Sequence, residues 1–141
     1  MDKYMDANIV FSKFSRDYTW LKKDLPIRQS EMAVINIITQ RDGKYTPLAI
    51  SELLGVSKPM VASLISSLEE KGYIEKEPSE TDKRSFYVIP SEMAMSLAEK
   101  FNEKQRTNLK TLESSLGDGE FDELVRLVGK AQAIVEKMKE E

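Results

Sequence analysis

Residues 46–72, TPLAISELLGVSKPMVASLISSLEEKG, constrain the fold more than any other stretch of the chain. Thr46-Pro47 is a helix start signal, a hydroxyl N-cap followed by proline at the first helical position, where the missing N–H costs nothing. It opens the short helix PLAISELL, which Gly55 closes. Two residues later Ser57 caps a second helix with Pro59 inside its first turn, and this helix runs to Lys71 before Gly72. Two helices with separate start signals and so short a turn between them must cross at a steep angle.

The side chains fit that crossing. Ser51 supplies a small residue where the helices touch, Gly55 sits where the turn needs a positive φ, and Ile50, Leu54, Val56, Val61 and Leu64 supply a shared core. The pattern is that of a helix-turn-helix, whose second helix enters the major groove of DNA. An ordinary αα-hairpin in a bundle meets the same local constraints, so the context decides. After Gly72 the period changes to two, with YIEKE and SFYVI as short β-type runs either side of the polar stretch 78–84. A hairpin directly after the second helix, followed by another helix, is the order of a winged helix.

The flanks carry apolar seams. Tyr4, Ala7, Phe11, Phe14, Tyr18 and Leu21 follow one another at alternating spacings of three and four, and Leu25-Pro26 predicts that their helix stops near Asp24. SEMAVINIITQ, residues 30–40, is apolar on nearly every face and reads as a central buried helix ended by Asp42-Gly43. Ser91 caps a long helix carrying Ala94, Leu97, Phe101 and Leu112, which fades at Leu116-Gly117-Asp118-Gly119. Beyond it Phe121, Leu124, Val128, Ala131, Val135 and Met138 form a second seam.

The expected architecture is therefore mostly α with a small β-hairpin wing. A winged helix-turn-helix over 26–92 is flanked by dimerisation helices at 1–25 and 117–141, with a long helix at 91–116 linking them. Seams left in water would expose a large apolar patch, so Tyr4, Phe11, Phe14, Tyr18, Phe121, Leu124, Val128 and Val135 are expected to pair two chains. Packing within one chain is the alternative.

Helical geometry selects the DNA contacts. With Val61, Leu64, Ile65 and Leu68 facing inward, Lys58, Pro59, Ala62, Ser63 and Ser66 face outward. This small, weakly charged face suits close approach to base edges, where serine bonds several bases and Pro59 or Met60 meets a thymine methyl. Thr46 and Ser57, at the two helix starts, complete the candidate surface on the helices. At the wing tip Lys83 and Arg84 follow Asp82, and Arg84 is the expected minor-groove reader. The plainer alternatives are solvent exposure for Ser63, Ser66 and Ser67, and a surface salt bridge from Arg84 to Asp82 or Glu80.

Composition narrows the functional classes. The chain has no cysteine and no histidine, which removes disulfides, Cys/His zinc sites, thiol sensing, and Ser-His-Asp or Cys-His catalysis. No catalytic residue, metal or cofactor is expected. The carboxylate pairs Glu69-Glu70 and Glu140-Glu141 are the raw material for an enzyme, and adjacent carboxylates on a helix point apart. No apolar run approaches ~18 residues and the N-terminus lacks the order of a signal peptide, so a cytoplasmic protein without a membrane partner is expected.

Charge is the awkward feature. The chain carries a formal −3, and residues 43–91 hold six cations against seven carboxylates, a nominal −1. Binding to DNA must then rest on local placement of Lys58, Lys83 and Arg84 and on backbone N–H groups at helix starts, with a shallow salt dependence. The same balance leaves open a winged-helix interaction module or antagonist that does not bind DNA.

Residues 53–92, LLGVSKPMVASLISSLEEKGYIEKEPSETDKRSFYVIPSE, resemble the multiple antibiotic resistance regulator (MarR) family in their helix-turn-helix, LEEKG junction, wing strands and wing tip. Asp82-Lys83-Arg84 is the most specific element, and the resemblance extends from Tyr4 to Met138. It implies a two-fold homodimer with intertwined terminal helices, which represses genes from a pseudo-palindromic operator until an effector binds. It also implies an effector pocket between the winged helix and the dimer helices. Trp20, Met32, Tyr45 and Phe101 are candidates to line it for a small aromatic or phenolic molecule, a plain core role being the alternative. The chain departs from the family at Ser63 and Ser67, where members often carry arginine, and at Met93, where glycine is common.

Overall fold

The computed structural model describes residues 2–22, 24–40 and 43–140; the stop signal expected at Asp42 and the Glu141 half of the terminal carboxylate pair lie outside them. Along the chain run α1 (Lys3–Trp20), α2 (Gln29–Gln40), α3 (Pro47–Leu54), α4 (Lys58–Glu70), β1 (Ile74–Pro78), β2 (Phe86–Pro90), α5 (Glu92–Ser115) and α6 (Glu120–Lys139). Contacts divide the chain into two units, residues 1–100 and 101–141.

In the first unit α2 supplies the buried centre, with Met32, Val34, Ile35 and Ile38 enclosed. Against it pack α3, α4 and β2. The inward face of α4 is Val61, Leu64, Ile65 and Leu68, the i, i+3, i+4, i+7 stripe expected from the sequence. Ile50, Ile74, Val88, Ala94 and Ala98 extend the core through α3, the wing and the first turns of α5. A cavity at Leu68, which is fully enclosed, would cost about 2–5 kcal/mol on truncation to alanine.

The chain turns by 115° between α3 and α4, within the range of helix-turn-helix crossings. Thr46 caps α3 by accepting the Ala49 N–H at 3.2 Å, and Ser57 caps α4 by accepting the Met60 N–H at 3.3 Å. Gly55 adopts φ +69° between them, a left-handed conformation that costs an L side chain about 1–2 kcal/mol. At the far end of α4 Gly72 takes φ +86°, and the Gly72 and Tyr73 N–H groups donate back to the Glu69 and Leu68 carbonyls at 3.1 and 2.9 Å. This paired closure satisfies two orphan carbonyls and aims the chain into the wing.

The wing is an antiparallel hairpin in register from Ile74↔Pro90 to Pro78↔Phe86. A third short segment joins it, because the Val88 N–H donates to the Tyr45 carbonyl at 2.8 Å in a one-residue antiparallel bridge. Tyr45, a pocket candidate from the sequence, thereby acquires a backbone role in the sheet. The bridge ties the entry of α3 to the wing, so the helix-turn-helix and the hairpin share one framework.

One boundary departs from expectation. α1 ends at Trp20, four residues before Asp24, because the last turn tightens until the Lys22 N–H donates to the Thr19 carbonyl at 3.0 Å. Pro26 restricts Leu25 and does not reach back far enough to be the terminator.

In the second unit, α6 carries Glu120, Asp122 and Glu123 in its first turn and Lys137 and Lys139 in its last, charges that suit the helix dipole. Among the described residues no single helix is long and apolar enough to cross a membrane.

Candidate nucleic-acid interface

Lys58, Pro59, Met60, Ala62, Ser63 and Ser66 all lie exposed on the outer face of α4, where the helical repeat of Val61, Leu64, Ile65 and Leu68 requires them. Ser57 is exposed at the start of the helix, while Thr46 is half-buried. Both hydroxyl oxygens act as caps, which leaves each hydroxyl proton available to donate outward. The face is smooth and short-chained, as close approach to a groove floor requires, and Met60 is its bulkiest apolar member at 47% exposure.

The wing tip is a tight turn whose acidic residue serves the backbone. Asp82 Oδ1 accepts the Arg84 N–H at 2.9 Å, and the Asp82 carbonyl accepts the Ser85 N–H at 3.0 Å. Ser79 Oγ accepts the Thr81 and Asp82 N–H groups at 3.3 Å each. The Arg84 guanidinium, by contrast, forms no ion pair among the described residues, and the surface bridge to Asp82 or Glu80 is not made. The carboxylate that was the alternative partner fixes the turn that presents the arginine.

Pairing sorts the six cations of residues 43–91 into two groups. Lys44 meets Glu77 at 2.9 Å, Lys71 meets Glu31 at 3.0 Å and Lys76 meets Glu69 at 3.6 Å. Lys58, Lys83 and Arg84 are exposed and without an ion pair among the described residues. Three of the region's six cations are therefore not tied to a carboxylate among the described residues, at the start of α4 and at the wing tip, where Glu80 and Asp82 stand beside Lys83 and Arg84. The Glu77 hydrogen bond and charge raise the Lys44 pKa.

A buried acid that the sequence did not single out lies behind α4. Glu31 is 0% exposed, and both carboxylate oxygens are filled. Oε1 accepts the Arg28 N–H at 2.9 Å, Arg28 Nε at 3.3 Å and Lys71 Nζ at 3.0 Å; Oε2 accepts Ser67 Oγ at 2.7 Å and Lys71 Nζ at 3.0 Å. Burial works to raise the carboxyl pKa, but the bonds from Ser67, Arg28 and Lys71 outweigh it and lower the pKa to about 2. Ser67 is thus half-buried and turned toward Glu31, while Ser63 and Ser66 are exposed. The bond from Glu31 back to the Arg28 N–H is the acidic half of a capping box and was the one local sign available in the sequence.

The terminal seams lie open on each helix. Neither α1 nor α6 has a buried residue. Tyr4, Phe11 and Phe14 are exposed on α1, with Phe11 at 71%, and the Phe14 and Tyr18 rings stack at 5.7 Å. On α6 Val128 and Val135 are exposed, while Phe121 and Leu124 are half-buried. The four pocket candidates do not share one setting. Met32 is enclosed in the core, Trp20 is more than half exposed at the end of α1, Tyr45 holds the wing bridge, and Phe101 stands half-buried in the second unit. Among the described residues no cluster of acids has the form of a metal site.

Comparisons with known proteins agree with this layout. Residues 24–85 match the model of the MarR family. The chain is 26% identical over 110 residues to the transcriptional repressor MprA of Escherichia coli (strain K12); the match covers 78% of this chain and 62% of that protein, under two thirds of its length. Among solved structures, Streptococcus pneumoniae FabT in complex with DNA superposes with a TM-score of 0.85 at 19% identity, covering 96% of this chain and 99% of that one. A MarR protein from Peptoclostridium difficile gives 0.78 at 19% identity over 98% and 94% of the two chains. The matched residues 24–85 take in the helix-turn-helix and the first strand of the wing, and over that stretch the chain is similar to the MarR family.

Proposed function

We propose that the protein is a homodimeric DNA-binding repressor that occupies a pseudo-palindromic operator. The observation that carries this reading is the partition of cations. Among the described residues Lys58, Lys83 and Arg84 have no ion pair, whereas Lys44, Lys71 and Lys76 are each held by a carboxylate. In this reading α4 lies in the major groove with Ser63 and Ser66 toward base edges, and Ser57 and Lys58 anchor phosphates. Arg84 enters the flanking minor groove, where the potential is most negative.

The exposed seams of α1 and α6 support a dimer, since patches of this kind are uncommon on a lone soluble domain. A two-fold dimer would set half-sites about 34–36 Å apart. MprA is described as a repressor and the FabT structure as a complex with DNA, which favours the same activity for this chain. Release by a small aromatic or phenolic effector belongs to the reading, with Trp20 the most exposed of the four pocket candidates.

A second reading, an interaction module that does not bind DNA, is favoured by the nominal −1 of residues 43–91. Selection from a pool of random duplexes separates the two. Enrichment of a two-fold symmetric sequence at moderate salt supports the repressor, whereas no enrichment even at low salt supports the module.

A further inference from the structure

We propose that Glu31 is a positioning residue that sets the seat of the recognition helix, through Ser67 and Lys71, for sequence-specific binding. The proposal rests on the DNA-binding reading above and adds to it a source of specificity that lies off the DNA-facing surface.

Glu31 stands in the first turn of α2, with its carboxylate shut off from solvent. Its partners belong to two elements. The Arg28 N–H and Nε fix it to the entry of α2, while Ser67 Oγ and Lys71 Nζ reach it from the last turn of α4 and its C-cap. Apolar packing along Val61, Leu64, Ile65 and Leu68 holds α4 against the core but tolerates small slides and rotations, because it is not directional. Hydrogen bonds are directional, and those to a charged acceptor are the strong ones. Bonds at 2.7 and 3.0 Å from residues 67 and 71 to a single carboxylate therefore fix both the rotation and the axial position of α4 at its C-terminal end.

Ser63 and Ser66 lie on the opposite, outer side of the same helix. A shift of α4 by a fraction of an ångström displaces their hydroxyls from base edges, while the long, flexible phosphate contacts from Lys58 and Lys83 can follow and Arg84 sits on the separate wing. Loss of the carboxylate bonds should thus fall on discrimination between sequences and spare general attraction to DNA.

The test uses the full chain and two duplexes of equal length, one enriched from a random pool by the wild-type protein and one of scrambled sequence. Ser67→Ala, which leaves Glu31 bonded to Lys71 and Arg28, is expected to lose roughly tenfold in affinity for the enriched duplex and little for the scrambled one. Ser67→Thr, which keeps the hydroxyl, is expected to restore the ratio. Circular dichroism at the assay temperature establishes that each variant is folded, and partial unfolding would lower both affinities alike. If Ser67→Ala keeps the wild-type ratio of affinities, or if Ser67→Thr fails to restore it, the positioning role is overturned while the DNA-binding reading stands. If the wild-type protein enriches no duplex, the DNA-binding reading falls and the positioning role falls with it.

Discussion

The hydroxyl of Ser51 donates to the carbonyl of Val56 across 2.6 Å, closing the turn between α3 and α4 from the inside. In return the Val56 N–H donates to the Ser51 carbonyl at 3.2 Å, so the two residues exchange bonds around Gly55. The steep crossing of the helices is held at this point by polar geometry as well as by apolar packing.

Substitutions at this turn should separate those contributions. Ser51→Ala removes the donor from the Val56 carbonyl and is expected to cost about 1–3 kcal/mol of stability. Gly55→Ala meets no steric obstacle, since nothing lies within 4 Å of the added Cβ, and should cost about 1–2 kcal/mol through the positive φ alone. Gly55→Asn should cost less, because asparagine tolerates that region. Denaturant midpoints at fixed protein concentration measure all three.

Acid should weaken the fold through Glu31. Its folded pKa of about 2 lies below the ordinary 4.5, so the ionised form is favoured by folding and the stability it confers is complete above pH 4.5. That contribution, at most about 3 kcal/mol, is lost as the pH falls from 4.5 toward 2. Glu31→Gln should be less stable at pH 7 and lose less between pH 5 and 3 than the wild type, in roughly that pKa window. Parallel urea titrations across the window check the difference.

How much of this was legible in the sequence depended on distance along the chain. Thr46, Ser57 and Gly55 announce caps and a left-handed turn through neighbours within three residues, and the structure has them in those roles. The outer face of α4 was legible because its inward stripe is apolar and regular. Glu31 was not, because it sits in an otherwise apolar run and its partners Ser67 and Lys71 are 36 and 40 residues away. The Tyr45 bridge was hidden for another reason, since a single paired residue has no period. Charge counting was incomplete for a third reason: the nominal −1 treats Lys44, Lys71 and Lys76 as equal to Lys58, Lys83 and Arg84, and only pairing tells them apart.

Oligomeric state follows from the open seams. The 16.1 kDa chain should sediment at twice that mass. Phe11→Glu and Val128→Glu each place a carboxylate on an exposed apolar face, and each should yield a folded monomer in sedimentation equilibrium. Monomers for the wild type would assign the seams to another partner.

Salt dependence reports how many cations meet phosphates. Lys58, Lys83 and Arg84 of the candidate interface give six cations per dimer, which predicts a slope of log K against log salt of about −5 if all six neutralise phosphates. A slope near −10 would bring the paired lysines or the terminal helices into contact with DNA.

Arg84 provides the most direct test of the DNA-binding account. Wild type and Arg84→Ala are titrated against the duplex enriched by the wild-type protein, with the mass of each protein measured alongside. The account predicts that the variant keeps the dimer mass and loses well over twofold, on the order of tenfold, in affinity. Equal affinity of the two proteins for that duplex would contradict the minor-groove role of the wing, and a wild-type protein that prefers no sequence would contradict the account as a whole.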